Sequence, residues 1–157
     1  MNRIRTILGV AAAVSALLVT PALAAPPEPA DDTIEVAGIC DFPVLLEFTG
    51  KVKVIEHGDH IITVAPGQKV TVTNMETDES LRYNIAGAFH DQVQPNGDLV
   101  SKGTGRNLLF TEALGMLVTV GNVAFTVTED ASAPEGIAIT ITGNRGKIID
   151  VCAALAG

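Results

Sequence analysis

Apolar and polar residues alternate with a period of two along most of this chain. Six runs show the alternation: 44–48, 52–54, 70–72, 81–85, 123–127 and 137–141. Valine, isoleucine and threonine, which favour strands, are common in them. Such runs are typical of strands with one buried face and one wet face. The sequence therefore predicts an all-β fold with about nine or ten strands, either an antiparallel β-sandwich of the Ig-like or Greek-key kind or a flattened barrel.

Turn-forming residues lie between these runs. Pro66-Gly67 and the segment 95–98 (Pro-Asn-Gly-Asp) indicate chain reversals. Gly121-Asn122 predicts a tight hairpin between the strands on either side of it. The glycine-rich segment 143–146 predicts a turn that separates the last two strands.

Cys40 and Cys152 are the two cysteines of the chain. Cysteine pairs in exported proteins usually form disulfides. The Cα atoms of a disulfide lie about 4.4–6.8 Å apart, so we expect the first and last strands to be joined by the bridge. Two buried free thiols, or a site built on one thiolate, are the alternatives. No cysteine-protease signature surrounds either residue.

Residues 1–24 have the three parts of a secretory signal peptide. A short basic segment precedes the apolar run 7–19, and Ala22 and Ala24 occupy the −3 and −1 positions of a cleavage site. The run is shorter than the roughly 20 residues that a transmembrane helix needs. We therefore predict cleavage after Ala24, secretion to the extracellular space, and a mature chain without a transmembrane segment.

The mature chain divides into two parts at the sequence level. Residues 25–33 are rich in proline and acid, which predicts a flexible linker. Residues 34–157 have the length of one ordinary domain and predict a single β-sandwich. No internal repeat or second boundary interrupts them.

The charge of the chain limits its partners. It has 18 acidic and 10 basic residues, a formal net charge of −8, and two of the basic residues belong to the signal. This acidity disfavours binding to nucleic acid and to anionic lipid, which both require clustered basic residues. One tyrosine and no tryptophan argue against an aromatic platform for sugars or bases. The partner that remains is an unknown protein or a component of the cell envelope.

Three histidines form the most specific candidate site. His57 and His60 flank Gly58-Asp59, which fits a two-residue type II′ turn. Their Cβ atoms are then about 5 Å apart across a hairpin, close enough to share a metal ion. With His90 they form a candidate zinc or copper site. The alternative is a polar hairpin tip that binds nothing.

Other chemistry has weaker support. The acidic turns 76–79 and 128–130 could bind calcium, but they lack EF-hand spacing and also fit solvated loops. No serine lies in a Gly-x-Ser-x-Gly or Ser-x-x-Lys motif. The segment 103–107 (Gly-Thr-Gly-Arg-Asn) precedes a strand-like run and predicts a glycine-rich bend rather than a phosphate loop. The sequence identifies no catalytic residue and no cofactor site.

Four stretches of the chain together resemble a known group of proteins: 37–44 (AGICDFPV), 48–51 (FTGK), 104–110 (TGRNLLF) and 146–152 (GKIIDVC). The chain resembles small exported actinobacterial proteins of unknown function. The resemblance implies a β-rich domain with a cysteine pair. It implies no catalytic residue.

These observations favour a secreted, non-enzymatic binding or structural module of the cell envelope or medium. One alternative is a small metal-dependent secreted enzyme that uses His57, His60 and His90. Another is a secreted inhibitor or adhesin that presents the loop 92–102 to a protein partner.

Overall fold

The computed structural model describes residues 25–112, 114–132 and 136–157. The predicted signal peptide, residues 1–24, lies outside this part of the chain. Eleven strands and one short helix follow one another in the described residues. They are β1 (Glu28–Pro29), β2 (Asp32–Val36), β3 (Val44–Thr49), β4 (Lys51–His57), β5 (His60–Val64), β6 (Lys69–Asn74), β7 (Ser80–Asn84), β8 (Ala88–Val93), β9 (Leu99–Thr111), β10 (Gly115–Glu129), β11 (Ile137–Asp150) and α1 (Val151–Leu155).

The strands form two antiparallel sheets. The larger sheet has the order β1-β4-β5-β8-β9-β10-β11, and the smaller has the order β2-β3-β6-β7. All of the pairings described between strands are antiparallel. The predicted all-β sandwich is confirmed, with slightly more strands than the sequence indicates.

Three strands of the larger sheet are much longer than the rest. They are β9, β10 and β11, with 13, 15 and 14 residues. The hairpin predicted at Gly121-Asn122 and the turn predicted at 143–146 are therefore wrong, since both segments lie inside continuous strands. The predicted reversals at Pro66-Gly67 and at 95–98 are confirmed by hydrogen bonds that close both turns.

Three glycines mark a bend in these long strands. Gly105, Gly121 and Gly146 lie opposite one another in a row across β9, β10 and β11. Gly105 and Gly121 have positive φ angles of +78° and +104°, which other residues rarely adopt. A Cβ atom on Gly146 would overlap the carbonyl oxygen of Val120. The row is glycine because the backbones are strained and close together there.

The alternation of buried residues changes phase at this bend. Met116 and Val118 are buried before Gly121, and Val123 and Phe125 are buried after it. The first pair occupies even positions and the second pair odd positions. A residue at positive φ reorients the side chains that follow, so a bent strand can keep apolar residues on the inner side.

The core lies between the smaller sheet, the first half of β10 and the helix. Nine buried apolar side chains form it among the described residues: Val44, Leu46, Val70, Val72, Ile85, Met116, Val118, Val151 and Leu155. Full burial of one such side chain stabilises the fold by about 1.5–3 kcal/mol. Together they outweigh a single disulfide that closes a long loop, which contributes about 4–5 kcal/mol.

Cys40 and Cys152 form a disulfide with a Cα–Cα distance of 5.4 Å across 112 residues of sequence. The sequence predicts that the bridge joins the first and last strands, but it does not join two strands. Cys40 lies in the connection between β2 and β3, and Cys152 lies in α1. The helix begins where the Asp150 carboxylate accepts a hydrogen bond from the Ala153 amide, so β11 ends beside the bridge.

The segment predicted as a flexible linker, residues 25–33, is partly paired with the sheets. Glu28 and Pro29 lie opposite Val52 and Lys51 at the edge of β4. Proline has no N–H group to donate to a neighbouring strand, so it is compatible with a strand at the edge of a sheet. β2 begins at Asp32, slightly before the predicted start of the domain.

None of the helices in the described residues is long and apolar enough to cross a membrane.

Candidate functional site

The β4–β5 hairpin holds two of the three candidate metal ligands. His57 and His60 lie directly opposite each other in its register, as the sequence predicts. Gly58 has a φ of +64°, and Asp59 is not among the described residues with positive φ. This combination fits a type II′ turn. Both histidines are exposed at the tip.

His90 lies on the same face of the sheet as the other two histidines. In β8 it is opposite Ile62 of β5, and Ile62 shares a face with His60. His60 and His90 are thus diagonal neighbours, with Cα atoms about 7–8 Å apart. On its other side, His90 is opposite Lys102 of β9. The Lys102 ammonium group opposes the binding of a cation next to His90.

Asp91 does not belong to this cluster. Its carboxylate accepts a hydrogen bond from the hydroxyl of Ser101, which is almost completely buried. Successive side chains of a strand point to opposite faces, so His90 and Asp91 cannot act at the same place. Within the described chain, no group of three or more His, Cys, Asp or Glu side chains is arranged to hold a metal ion. The three-histidine site remains a prediction.

Buried Ser101 and half-buried Asp91 are the nearest approach to a nucleophile with an acidic partner. A serine nucleophile also needs a general base that contacts its hydroxyl. The Ser101 hydroxyl instead donates to the Asp91 carboxylate. The neighbouring His90 points to the opposite face. The pair therefore has the geometry of a structural hydrogen bond.

The acidic turn after β6 also has a structural role. The amide oxygen of Asn74, which is buried, accepts a hydrogen bond of 2.9 Å from the Glu76 amide. Its amide nitrogen donates to the carbonyl oxygen of Leu155, at 3.2 Å. Asn74 thus fixes the turn and attaches it to the end of α1. This residue is not among the sequence-predicted sites, because its partner is 81 residues away.

A small cavity lies between the two sheets. Its volume is about 120 Å³, and phenylalanine side chains, Leu108 and the amides of Gln68 and Asn107 line it. Pockets that bind drug-sized ligands usually have about 300–1,000 Å³. The cavity is better explained as incomplete packing behind the bend. The segment 103–107 is the glycine-rich bend that the sequence predicts, and Asn107 donates a hydrogen bond to the Thr104 carbonyl there.

The loop 92–102 is mostly strand. Gln92 and Val93 end β8, Leu99 begins β9, and only the segment 94–98 forms a turn. The amide of Gln94 donates to the carbonyl of Asp98, and Gly97 has a φ of +92°. Val93 remains 43% exposed beside this turn.

Two hairpin tips lie side by side at one end of the larger sheet: Gly58-Asp59 between β4 and β5, and residues 94–98 between β8 and β9. The β4–β5 tip contacts β8 directly, since the Val93 amide donates to the Asp59 carbonyl at 3.0 Å. Val93, Leu99 and Val127 are opposite one another in the registers of β8, β9 and β10, so the end of β10 lies at the same end of the sheet. The helix and the disulfide lie at the opposite end, because Asp150 is opposite Leu117 near the start of β10.

The sequence does not predict the shallow depression on the larger sheet, although Lys102, which lines it, is the last residue of the predicted loop 92–102. It has a volume of about 390 Å³ between β9, β10 and β11. Lys102, Arg145 and two asparagines line it. No local pattern indicates it, because residues 143–146 have the composition of a turn. Only the continuous pairing of the three strands brings these side chains together.

Comparisons with known protein families, curated proteins and solved structures found no match to this chain. The resemblance to small exported actinobacterial proteins therefore remains a prediction from the four sequence stretches.

Proposed function

We propose that this chain is an exported, non-enzymatic binding module that presents its clustered hairpin tips to a component of the cell envelope or medium. The observation that carries the proposal is the shared position of the β4–β5 tip and the 94–98 turn, with the β4–β5 tip hydrogen-bonded to β8. Loops that cluster at one end of a rigid sandwich are frequent binding surfaces. Export is proposed from the signal-like residues 1–24, and a disulfide is consistent with an oxidising compartment.

The composition of the tips fits a protein surface better than a small-molecule pocket. They combine exposed polar groups, such as Asp59 and Asn96, with the exposed side chain of Val93. No deep cavity of the described residues opens between them. A secreted inhibitor or adhesin is a special case of this proposal, in which the 94–98 turn makes the main contact.

Tip replacement tests the proposal. Residues 94–98 are replaced by Asn-Gly, which forms a tight hairpin turn. A matched control replaces the turn at Pro66-Gly67, which is on another part of the fold. Each protein is immobilised and exposed to envelope extract, and captured material is identified by mass spectrometry. We expect the same partner with the wild type and the control, and its loss with the 94–98 variant. Capture that survives this replacement, or no saturable capture by the wild type, would refute the proposal.

A metal-dependent enzyme remains the second candidate, because His57 and His60 do face each other. A bound ion at a stoichiometry of one per chain, lost on substitution of both histidines, would favour it. The protein should be purified without an affinity tag, since a histidine tag binds the same metals.

A further inference from the structure

The depression between β9, β10 and β11 has a floor of very small residues. Ala124 is opposite Lys102 on one side and Gly143 on the other. Ser101, next to Lys102 in the chain, is buried on the inner side, so Lys102 points to the outer face. The depression is therefore on the face of the sheet that turns away from the core, and it is open to solvent.

Irregular strand pairing produces the depression. The register between β10 and β11 shifts after Ala124, so Thr142 is an extra residue in β11. Bulges of this kind bend a strand and redirect its side chains. The glycine row at Gly121 and Gly146 adds a second bend immediately beyond. The result is a concave surface of about 390 Å³, which lies within the usual range for small-ligand sites.

The residues that line the depression include two positively charged side chains and no carboxylate. The strands β9, β10 and β11 carry Lys102, Arg106, Arg145 and Lys147, and their only acidic residues are Glu129 and Asp150 at strand ends. The whole chain, in contrast, has 18 acidic and 10 basic residues. Lys102 and Arg145 both line the depression.

The polar groups of the depression are available to a ligand. Within the described residues, the side chains of Lys102 and Arg145 have no hydrogen-bond or ion-pair partner. Asn122, which is opposite Arg145 and on the same face, adds an amide group that can both donate and accept hydrogen bonds. Arginine and lysine bind carboxylate and phosphate groups, and amides suit hydroxyl groups. This combination matches a small anion that also carries hydroxyl groups.

We infer that the depression binds a sugar acid or a sugar phosphate, with Lys102 and Arg145 on the anionic group and Asn122 on a hydroxyl. A long polyanion fits less well. The parts of it that extend past Lys102 and Arg145 would be repelled by a protein with a net charge of −8. A neutral sugar fits less well too, since no aromatic side chain lines the depression for stacking. The site is several residues along the strands from the hairpin tips, so it can be tested without reference to the proposed function.

The test is a nuclear magnetic resonance titration of the disulfide-bonded protein, in which backbone amide shifts locate the ligand. Four probes are compared: glucuronate, glucose 6-phosphate, glucose and inorganic phosphate. We expect the two charged sugars to shift amides around Lys102, Ala124 and Gly143, with clearly weaker binding of glucose and of phosphate alone. In Lys102→Met/Arg145→Met, the Kd of both charged sugars should rise about tenfold or more.

A charge-matched control separates this site from general attraction. Lys69→Met/Arg82→Met removes the same two charges from exposed positions on the smaller sheet. It should leave the Kd values unchanged. Equal weakening by the two double variants, equal binding of phosphate and sugar phosphate, or shifts located elsewhere would each overturn the inference. The thermal unfolding midpoints of both variants confirm that they are folded.

Discussion

Gly105 and Gly121 lie directly opposite each other in β9 and β10, and both have positive φ. Together with Gly146 they bend the long strands between the core and the hairpin tips. The bend allows one sheet to cover the helix and disulfide at one end and to present the tips at the other. It also produces the cationic depression on the outer face.

Substitution within the glycine row should destabilise the protein through backbone crowding. A Cβ atom in Gly146→Ala would overlap the Val120 carbonyl oxygen. Because a strand of the sheet must move, we expect a loss of about 1–3 kcal/mol in the free energy of unfolding. The matched control is Gly143→Ala, whose Cβ atom would have its nearest contact at 3.7 Å, with Ala124. The control should change stability by less than about 0.5 kcal/mol. Urea unfolding of both variants measures the difference, and equal losses would contradict the role of the bend.

The sequence predicts the shorter strands better than the long ones. The alternation around Val70 and the Pro66-Gly67 turn are local, and both are correct. Gly121-Asn122 has the local chemistry of a turn, but pairing on both sides with Gly105 and Gly146 makes it a bend. Such pairing joins residues far apart in sequence, and no local pattern reveals it. The helix α1 has five residues, too few to show a helical period.

The candidate sites, too, can be predicted from the sequence where they depend on a local turn, but not where they depend on pairing between distant strands. The facing positions of His57 and His60 follow from a two-residue turn, which the sequence contains. The position of Lys102 beside His90 depends on the pairing of β8 with β9. The depression requires the alignment of three strands, which no local pattern shows. The sequence therefore does not indicate Arg145 as a binding residue, because its segment has the composition of a turn.

Zinc binding, if it occurs, should involve the hairpin tip and not β8. His57 and His60 face each other, whereas His90 is opposite the Lys102 ammonium group. We expect His57→Ala/His60→Ala to abolish zinc-induced shifts at the tip and His90→Ala to leave the zinc affinity unchanged. Zinc titration of the tag-free protein, followed by nuclear magnetic resonance, measures both. An equal loss of affinity in His90→Ala would show that all three histidines act together.

Asn74 should be more important for stability than its polar character suggests. Its side chain is buried and bonds both the Glu76 amide and the Leu155 carbonyl. Asn74→Ala leaves these groups without partners, which should cost about 1–3 kcal/mol. Asn84→Ala is the control, since Asn84 makes a similar bond to the Ala86 amide at an exposed position. Chemical denaturation should separate the two variants. Similar losses of stability in the two variants would mean that the burial of Asn74 does not increase the contribution of its hydrogen bonds.

Tyr83 should link stability to alkaline pH. Burial raises the pKa of its hydroxyl above the ordinary value of 10.0. A group that loses its proton less readily in the folded state stabilises the fold fully below pH 10, and this stabilisation is lost as pH rises through the folded-state pKa. Tyr83→Phe should therefore lose less stability than the wild type as the pH rises above about 10.

The ionisation of Tyr83 can be followed directly. It is the single tyrosine of a chain without tryptophan, so the phenolate absorbance reports this residue alone. The folded protein should titrate at higher pH than the denatured protein. Coincident titration curves would contradict the effect of burial.

On this account, the protein is an exported β-sandwich closed by a disulfide. Mass spectrometry tests this most directly, on protein recovered from the medium of an expressing host. The sample is alkylated without reduction, and then again after reduction. We predict a chain that begins at Ala25, no alkylation before reduction, and alkylation of both Cys40 and Cys152 after it. Recovery only from inside the cells with the initiator methionine in place, or alkylation of both thiols without reductant, would contradict the account.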